Sequence, residues 1–191
     1  MKIHKIYFAL ILIGLLSTAQ NKDCVYDFEE KTDSTSIQII EPKIIHEKIF
    51  GNTTEIIQFE LINQNNIPIV KLQQIQKSTE FIPLSCINKK SKIFFQLQNG
   101  SIVTLISVTD DACGVYNYLA ETKSNIRVID SYFAFTKNNY NQLKESPISL
   151  MRIQFADGSK EYVIKDKHTS ELQKVEVEPS KVFMNYLHCI E

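Results

Sequence analysis

Four cysteines behind an export-type leader constrain this chain more than any other feature. Lys2, His4 and Lys5 open the sequence, Ile6 to Leu16 run apolar, and Ser17-Thr18-Ala19 follow with small residues where a signal peptidase reads. Cleavage after Ala19 is expected, with residues 20–191 forming one exported domain. The apolar run stops well short of the roughly 20 residues a bilayer span requires, and polar residues stand directly behind it. Lipid attachment at Cys24 is not expected, because Asn21, Lys22 and Asp23 do not resemble the small residues of a lipoprotein signal.

All four cysteines, Cys24, Cys86, Cys113 and Cys189, lie beyond the leader. An even number in an exported chain predicts two disulfides, with three connectivities open. A metal site would need ligands paired at short spacing, and neither CxxC nor HxxxH occurs. The expected location is therefore periplasmic, cell-surface or extracellular.

Charge narrows the partners. Removing Lys2 and Lys5 with the leader takes the basic count from 21 to 19, against 22 acids. That balance offers no electrostatic footprint for nucleic acid and no polybasic patch for an anionic membrane. No later stretch is apolar enough to span a bilayer.

Turns organise the rest. Lys43 to Phe50 reads as a strand closed by Gly51-Asn52, followed by strands over Glu55 to Gln64 and Ile67 to Gln76 around Asn65-Asn66. Pro68 suggests an edge position for the third, and Phe81 to Leu84 another short strand. Lys92 to Gln98 and Ser101 to Val108 flank Asn99-Gly100, the strongest short hairpin signature. A two-residue loop there pairs Leu97 with Ile102 and Ile93 with Ile106, and its extension places Cys86 opposite Cys113. That makes Cys86–Cys113 the preferred bridge and leaves Cys24–Cys189 to tie the ends. Asp157-Gly158 reads as a second hairpin turn, with Ile153 opposite Tyr162. Between the hairpins, Asn125 to Thr136 contains strand segments, and Thr136 can cap a short helix over 137–144. From Pro179 the period changes: Val182, Phe183, Tyr186, Leu187 and Ile190 share one helical stripe. The expected fold is mainly β, an antiparallel sandwich or open-barrel-like domain with a short internal helix and a C-terminal amphipathic helix; α+β is the alternative.

No residue emerges as catalytic, cofactor-binding or metal-ligating. His46-Glu47 is half of a zincin motif, but position 50 is Phe and the segment reads as strand. His188 adjoins a cysteine expected to be bridged, which is no nucleophile. His168 sits in a polar loop sequence, and Asp110-Asp111 reads as a turn. Asn52-Thr-Thr54 and Asn99-Gly-Ser101 match the N-glycosylation pattern. GxSxG, SxxK and phosphate-loop motifs are missing from the sequence.

Cys24-Val-Tyr26, Asp33-Ser-Thr35, Ser146-Pro-Ile148 ahead of Asp157-Gly158, and the terminal Leu187 to Ile190 together resemble a loose group of short exported proteins of unknown function from Gram-negative bacteria. The resemblance covers most of the mature length and implies a compartment and general shape, with no catalytic motif; Ser36 stands where a glycine is expected. Asp33-Ser34-Thr35 is also similar to a short O-glycosylation sequon of some such bacteria. The functional expectation is a non-catalytic binding or structural module whose partner is an envelope protein or glycan. An exported hydrolase assembled only in the fold, and a small secreted inhibitor or effector, are the alternatives. A binder should expose an aromatic patch, for which Phe133, Phe135, Tyr116 and Tyr118 are the candidates.

Overall fold

Period-two alternation punctuated by tight turns carries most of the chain into antiparallel strands. The structure, a computed structural model, describes residues 22–136 and 139–191; the leader expected at 1–19 lies outside them. The strands in order are β1 (Tyr26–Lys31), β2 (Ser36–Ile40), β3 (Lys43–Phe50), β4 (Thr53–Gln64), β5 (Ile67–Ser78), β6 (Ile87–Asn88), β7 (Lys92–Leu97) and β8 (Ile102–Ser107). Then come β9 (Asp111–Ala112), β10 (Val115–Leu119), β11 (Ser124–Phe135), helix α1 (Tyr140–Glu145), β12 (Ile148–Gln154) and β13 (Ser159–Val163). The chain ends with β14 (His168–Thr169), β15 (Glu176–Val177) and helix α2 (Val182–Tyr186), which continues two 3₁₀ turns, Pro179–Lys181 and Leu187–Ile190. The fold is mainly β, with antiparallel sheets, two short helices and no closed barrel among the described residues.

Eleven strands form one sheet in the order β1-β2-β4-β5-β11-β8-β7-β12-β13, with β3 beside β2 on β4 and β10 beside β8 on β11. The sheet rolls over on itself. Lys160 and Tyr162 of β13 reach Glu55 of β4, and the Tyr162 ring meets His46 of β3 at 4.9 Å between centroids. Side chains alone bridge that seam, so the barrel stays open. Ile57, Phe59, Val70, Leu72, Phe95, Leu105, Phe133 and Met151 fill the inside. From one side α2 delivers Phe183, stacked on Phe59 at 6.0 Å and edge-on to Phe95 at 5.3 Å.

Several details differ from the sequence expectation. Around Asn99-Gly100 the Leu97 N–H donates to the Ser101 carbonyl at 2.9 Å and the Gly100 N–H to that of Leu97 at 3.0 Å. The loop therefore holds three residues, with Gly100 at φ +87 as the bulge. Gln96 faces Ile102 and Ile93 faces Leu105. A shift of one residue exchanges the faces of a strand: Val103 and Leu105 are buried, whereas Ile102 and Ile106 are 66% and 42% exposed. Farther out, the 107–110 segment has one residue more than 89–91, and β6 pairs Ile87 with Ala112. The extra residue cancels the shift, so Cys86 still meets Cys113, with Cα atoms 4.0 Å apart. Cys24 is bonded to Cys189.

In the second hairpin the Phe155 N–H donates to the Gly158 carbonyl at 2.7 Å, making Ala156-Asp157 the loop. Ile153 consequently faces Lys160, and Tyr162 faces Met151. Asn65 and Asn66 do form a two-residue turn, at φ 52 and 63. Yet β5 is interior, between β4 and β11, not an edge. Pro68 is tolerated because Gln64–Ile67 closes the loop and the next pair, Asn63–Pro68, is non-hydrogen-bonded. Its nitrogen points toward β11, whose last partner is Ile69. Residues 81–84 form no strand, since no neighbour pairs with them. The two expected strand segments beyond Asn125 are one strand, β11. Helix α1 begins only at Tyr140, after the Asn139 N–H bonds the Thr136 carbonyl at 3.0 Å.

Candidate binding edge

The most exposed strand of the fold rests on its most constrained support. β10 leaves Cys113 through Gly114, which takes φ +76; a Cβ there would stand 2.5 Å from the Val128 carbonyl oxygen. Only glycine permits that approach to β11. From β11 the buried Arg127 sends its guanidinium to the Cys113 carbonyl at 3.0 Å and the Ile82 carbonyl at 3.4 Å. The same group lies 4.9 Å from the centre of the Tyr116 ring, whose neighbour at 6.3 Å is Phe81. One cation and one disulfide thus tie the 81–86 segment to the start of β10.

β10 pairs with β11 from Val115–Val128 to Leu119–Ser124. Its other edge carries no strand among the described residues. All five of its residues are exposed, Val115 at 63% and Tyr118 at 61%, with Phe81 beside them at 73%. Exposed strand edges are ordinarily guarded by charge. Asp27, Glu29, Glu30 and Lys31 do this on β1, Lys43, Glu47 and Lys48 on β3, and Lys160 and Glu161 on β13. Val-Tyr-Asn-Tyr-Leu of β10 carries none. Of the four aromatics singled out from sequence, Tyr116 and Tyr118 lie here. Phe133 is wholly buried, and Phe135 packs against Tyr140 and Phe183; Tyr116 and Tyr118, opposite Arg127 and Asn125 on the same face of the sheet, lie at its uncovered end. Phe81 and Arg127 were not legible as part of this surface.

A groove of about 520 Å³ lies between the start of β3, the 173–178 segment and α2, within the size range of small-ligand pockets. Its rim charges are spent on each other: Lys22 pairs with Glu178 at 2.6 Å and Lys43 with Glu41 at 3.0 Å. Ile44, Val175 and Val182 give apolar walls, and the nearly buried Asn185 lines it with an Nδ2 that has no partner.

The densest polar cluster lies across the open seam. Glu55 accepts from Lys160 at 2.7 Å, Gln74 at 2.8 Å and Tyr162 at 3.2 Å, joining β4, β5 and β13 across the open seam. Burial opposes ionisation of Glu55, but the bonds from Lys160 and Gln74 outweigh it and hold the carboxyl below its ordinary 4.5. Burial, reinforced by the Glu55 charge, drives the Tyr162 phenol far above its usual range. Burial likewise lowers His46 below 6.5, with Glu55 pulling the other way and Lys160 adding to the fall. Both lowered groups bind protons more readily when unfolded, so stability is full above the unfolded values and declines with acid. The urea midpoint should fall as pH drops below about 6.5, and again below about 4.5. His46→Gln should flatten the first decline; a midpoint that rises from pH ~7 to ~5.5 in the parent chain would contradict the assignment.

Other residues noted from sequence are dispersed. Glu47, on the face of β3 opposite His46, accepts the Leu172 N–H at 2.9 Å and stands 3.9 Å from His168. His168 is therefore tucked beneath the 166–177 excursion and not in the solvated loop expected, because folding lays that excursion against β3. Asp110 pairs with Lys89 on the surface. Asn52 and Asn99 occupy exposed hairpin loops, and residues 33–35 the turn between β1 and β2.

Comparison with protein-family models, curated proteins and solved structures finds no match to this chain.

Proposed function

We propose that the protein is an exported, non-catalytic binding module that takes an extended segment of a partner protein along the free edge of β10. Strand addition supplies main-chain hydrogen bonds for affinity and lets alternate side chains set specificity. The observation that carries this reading is an uncharged edge strand, exposed along its whole length, beside an aromatic pair. Phe81, Tyr116 and Tyr118 supply the large amphipathic contacts that dominate interface energies. Arg127, Gly114 and the Cys86–Cys113 bridge hold the platform in place beforehand, which reduces the ordering cost of association.

A photo-crosslinker at Asn117, used on an envelope extract of the source cell, tests the site. Mass spectrometry should find the linkage within one extended stretch of a single partner. Tyr118→Lys places a guarding charge on the edge and should weaken capture by about tenfold or more. At so exposed a position it should alter stability by no more than about 0.5 kcal/mol. Equal capture by parent and Tyr118→Lys would overturn the proposal.

A further inference from the structure

The geometry points to a zinc site that forms from Cys24, Cys189 and His188 when their disulfide is reduced. His188 Nε2 lies 3.4 Å from each of the two sulfurs, and the three ligand atoms all fall within 4.8 Å of one another. A tetrahedral zinc with Zn–S of about 2.3 Å and Zn–N of about 2.0 Å sets nitrogen and sulfur roughly 3.5 Å apart. The imidazole is thus already placed, and only the sulfurs need to part, to roughly 3.8 Å. Nδ1 of His188 is buried without a partner, so no hydrogen bond holds the ring against the small adjustment required.

Opening the disulfide does not release the surroundings. Tyr26, two residues beyond Cys24, donates to the Cys189 carbonyl at 2.9 Å, and Tyr140 to that of Leu187 at 3.0 Å. Leu187 and Ile190 are buried in the core on either side of the pair His188-Cys189. Both sulfurs therefore stay in the same small volume once separated.

The chemistry balances with a dithiol as reductant. Its two thiols become a disulfide, and the two electrons and two protons reach Cys24 and Cys189 as thiols. Zinc then displaces both thiol protons to solvent and binds two thiolates and the neutral imidazole, leaving a fourth position for water. Thiolate and imidazole ligands select a borderline-soft cation of this kind. The metal would hold the two ends of the chain together in the reduced protein, as the bridge does in the oxidised one.

Cobalt(II) serves as a visible probe on the mature chain carrying Cys86→Ser and Cys113→Ser, so that only this pair can supply thiolates. After reduction by a phosphine, one Co²⁺ per chain should give thiolate charge-transfer and tetrahedral ligand-field bands, displaced by Zn²⁺. Zn²⁺ should also raise the thermal midpoint of the reduced protein. The oxidised protein should show neither effect, and His188→Ala should weaken binding by at least about tenfold. If the double variant does not fold, Cys24→Ser and His188→Ala in the otherwise native reduced chain must each remove one equivalent of Co²⁺ binding relative to the reduced parent, whatever the Cys86 and Cys113 thiols bind. Absence of stoichiometric binding after reduction, or unchanged affinity in His188→Ala, overturns the inference.

Discussion

Replacing Cys24 and Cys189 together by serine should lower the unfolding free energy by about 5 kcal/mol in the chain-entropy limit. The bridge spans 165 positions of sequence, so its loss returns more freedom to the unfolded chain than loss of any shorter link. Cys86–Cys113, at a separation of 27, should contribute about 3–4 kcal/mol on the same basis. Domains of this kind have about 5–15 kcal/mol in total, and the first substitution would consume much of it. Urea unfolding of the two double variants under non-reducing conditions gives the comparison. A smaller loss at 24 and 189 than at 86 and 113 would show that folded-state contacts, not chain entropy, set the order. The Tyr26 bond to the Cys189 carbonyl survives serine substitution, so the measured loss reports mainly on the covalent link.

Phe183→Ala should destabilise the domain by about 3–5 kcal/mol, the range for removing a fully buried phenyl ring. Phe183 touches aromatic rings from three separate strands: Phe59 of β4, Phe95 of β7 and Phe135 of β11. Those strands belong to different stretches of the rolled sheet, and the ring fills the volume between them. The cavity left behind cannot collapse easily, because each wall is pinned by its own strand ladder. Chemical denaturation measures the loss directly, and a change below about 1.5 kcal/mol would mean that α2 merely covers the roll without completing its core. Phe183→Leu, which keeps most of the volume, should recover more than half of the effect.

The strands from Lys43 to Gln76 were legible because runs rich in isoleucine are bounded by Gly51-Asn52 and Asn65-Asn66, turns whose chemistry is local. β1 was not, since its acidic run Asp27, Glu29, Glu30 shows no apolar face; an edge strand needs none. β10 was not read as a strand either, since five residues exposed on both faces show no division between a buried and a solvated side. The aromatic surface was half legible: Tyr116 and Tyr118 were marked, but Phe133, marked with them and lying in the next strand, is core. Tyr116 and Phe133 share one face of the sheet, and whether such a ring is buried depends on what packs over that part of the face, which no local pattern records.

The amino-acid sequence by itself determined that the chain forms antiparallel strands joined by tight turns, that a helical segment follows Pro179, and that Cys86 stands near Cys113. These are consequences of hydrophobic period and turn geometry, which act over a few residues. Only the tertiary structure decided that the sheet rolls upon itself, that β10 has no second neighbour among the described residues, and that His188 faces both sulfurs of the Cys24–Cys189 bridge. Each of these joins residues distant in sequence, and its energy comes from burial and close approach that no local pattern records. The expected leader and the four cysteines made two bridges the expectation; packing of Leu187 and Ile190 into the core is what brings Cys189, with its histidine, to Cys24.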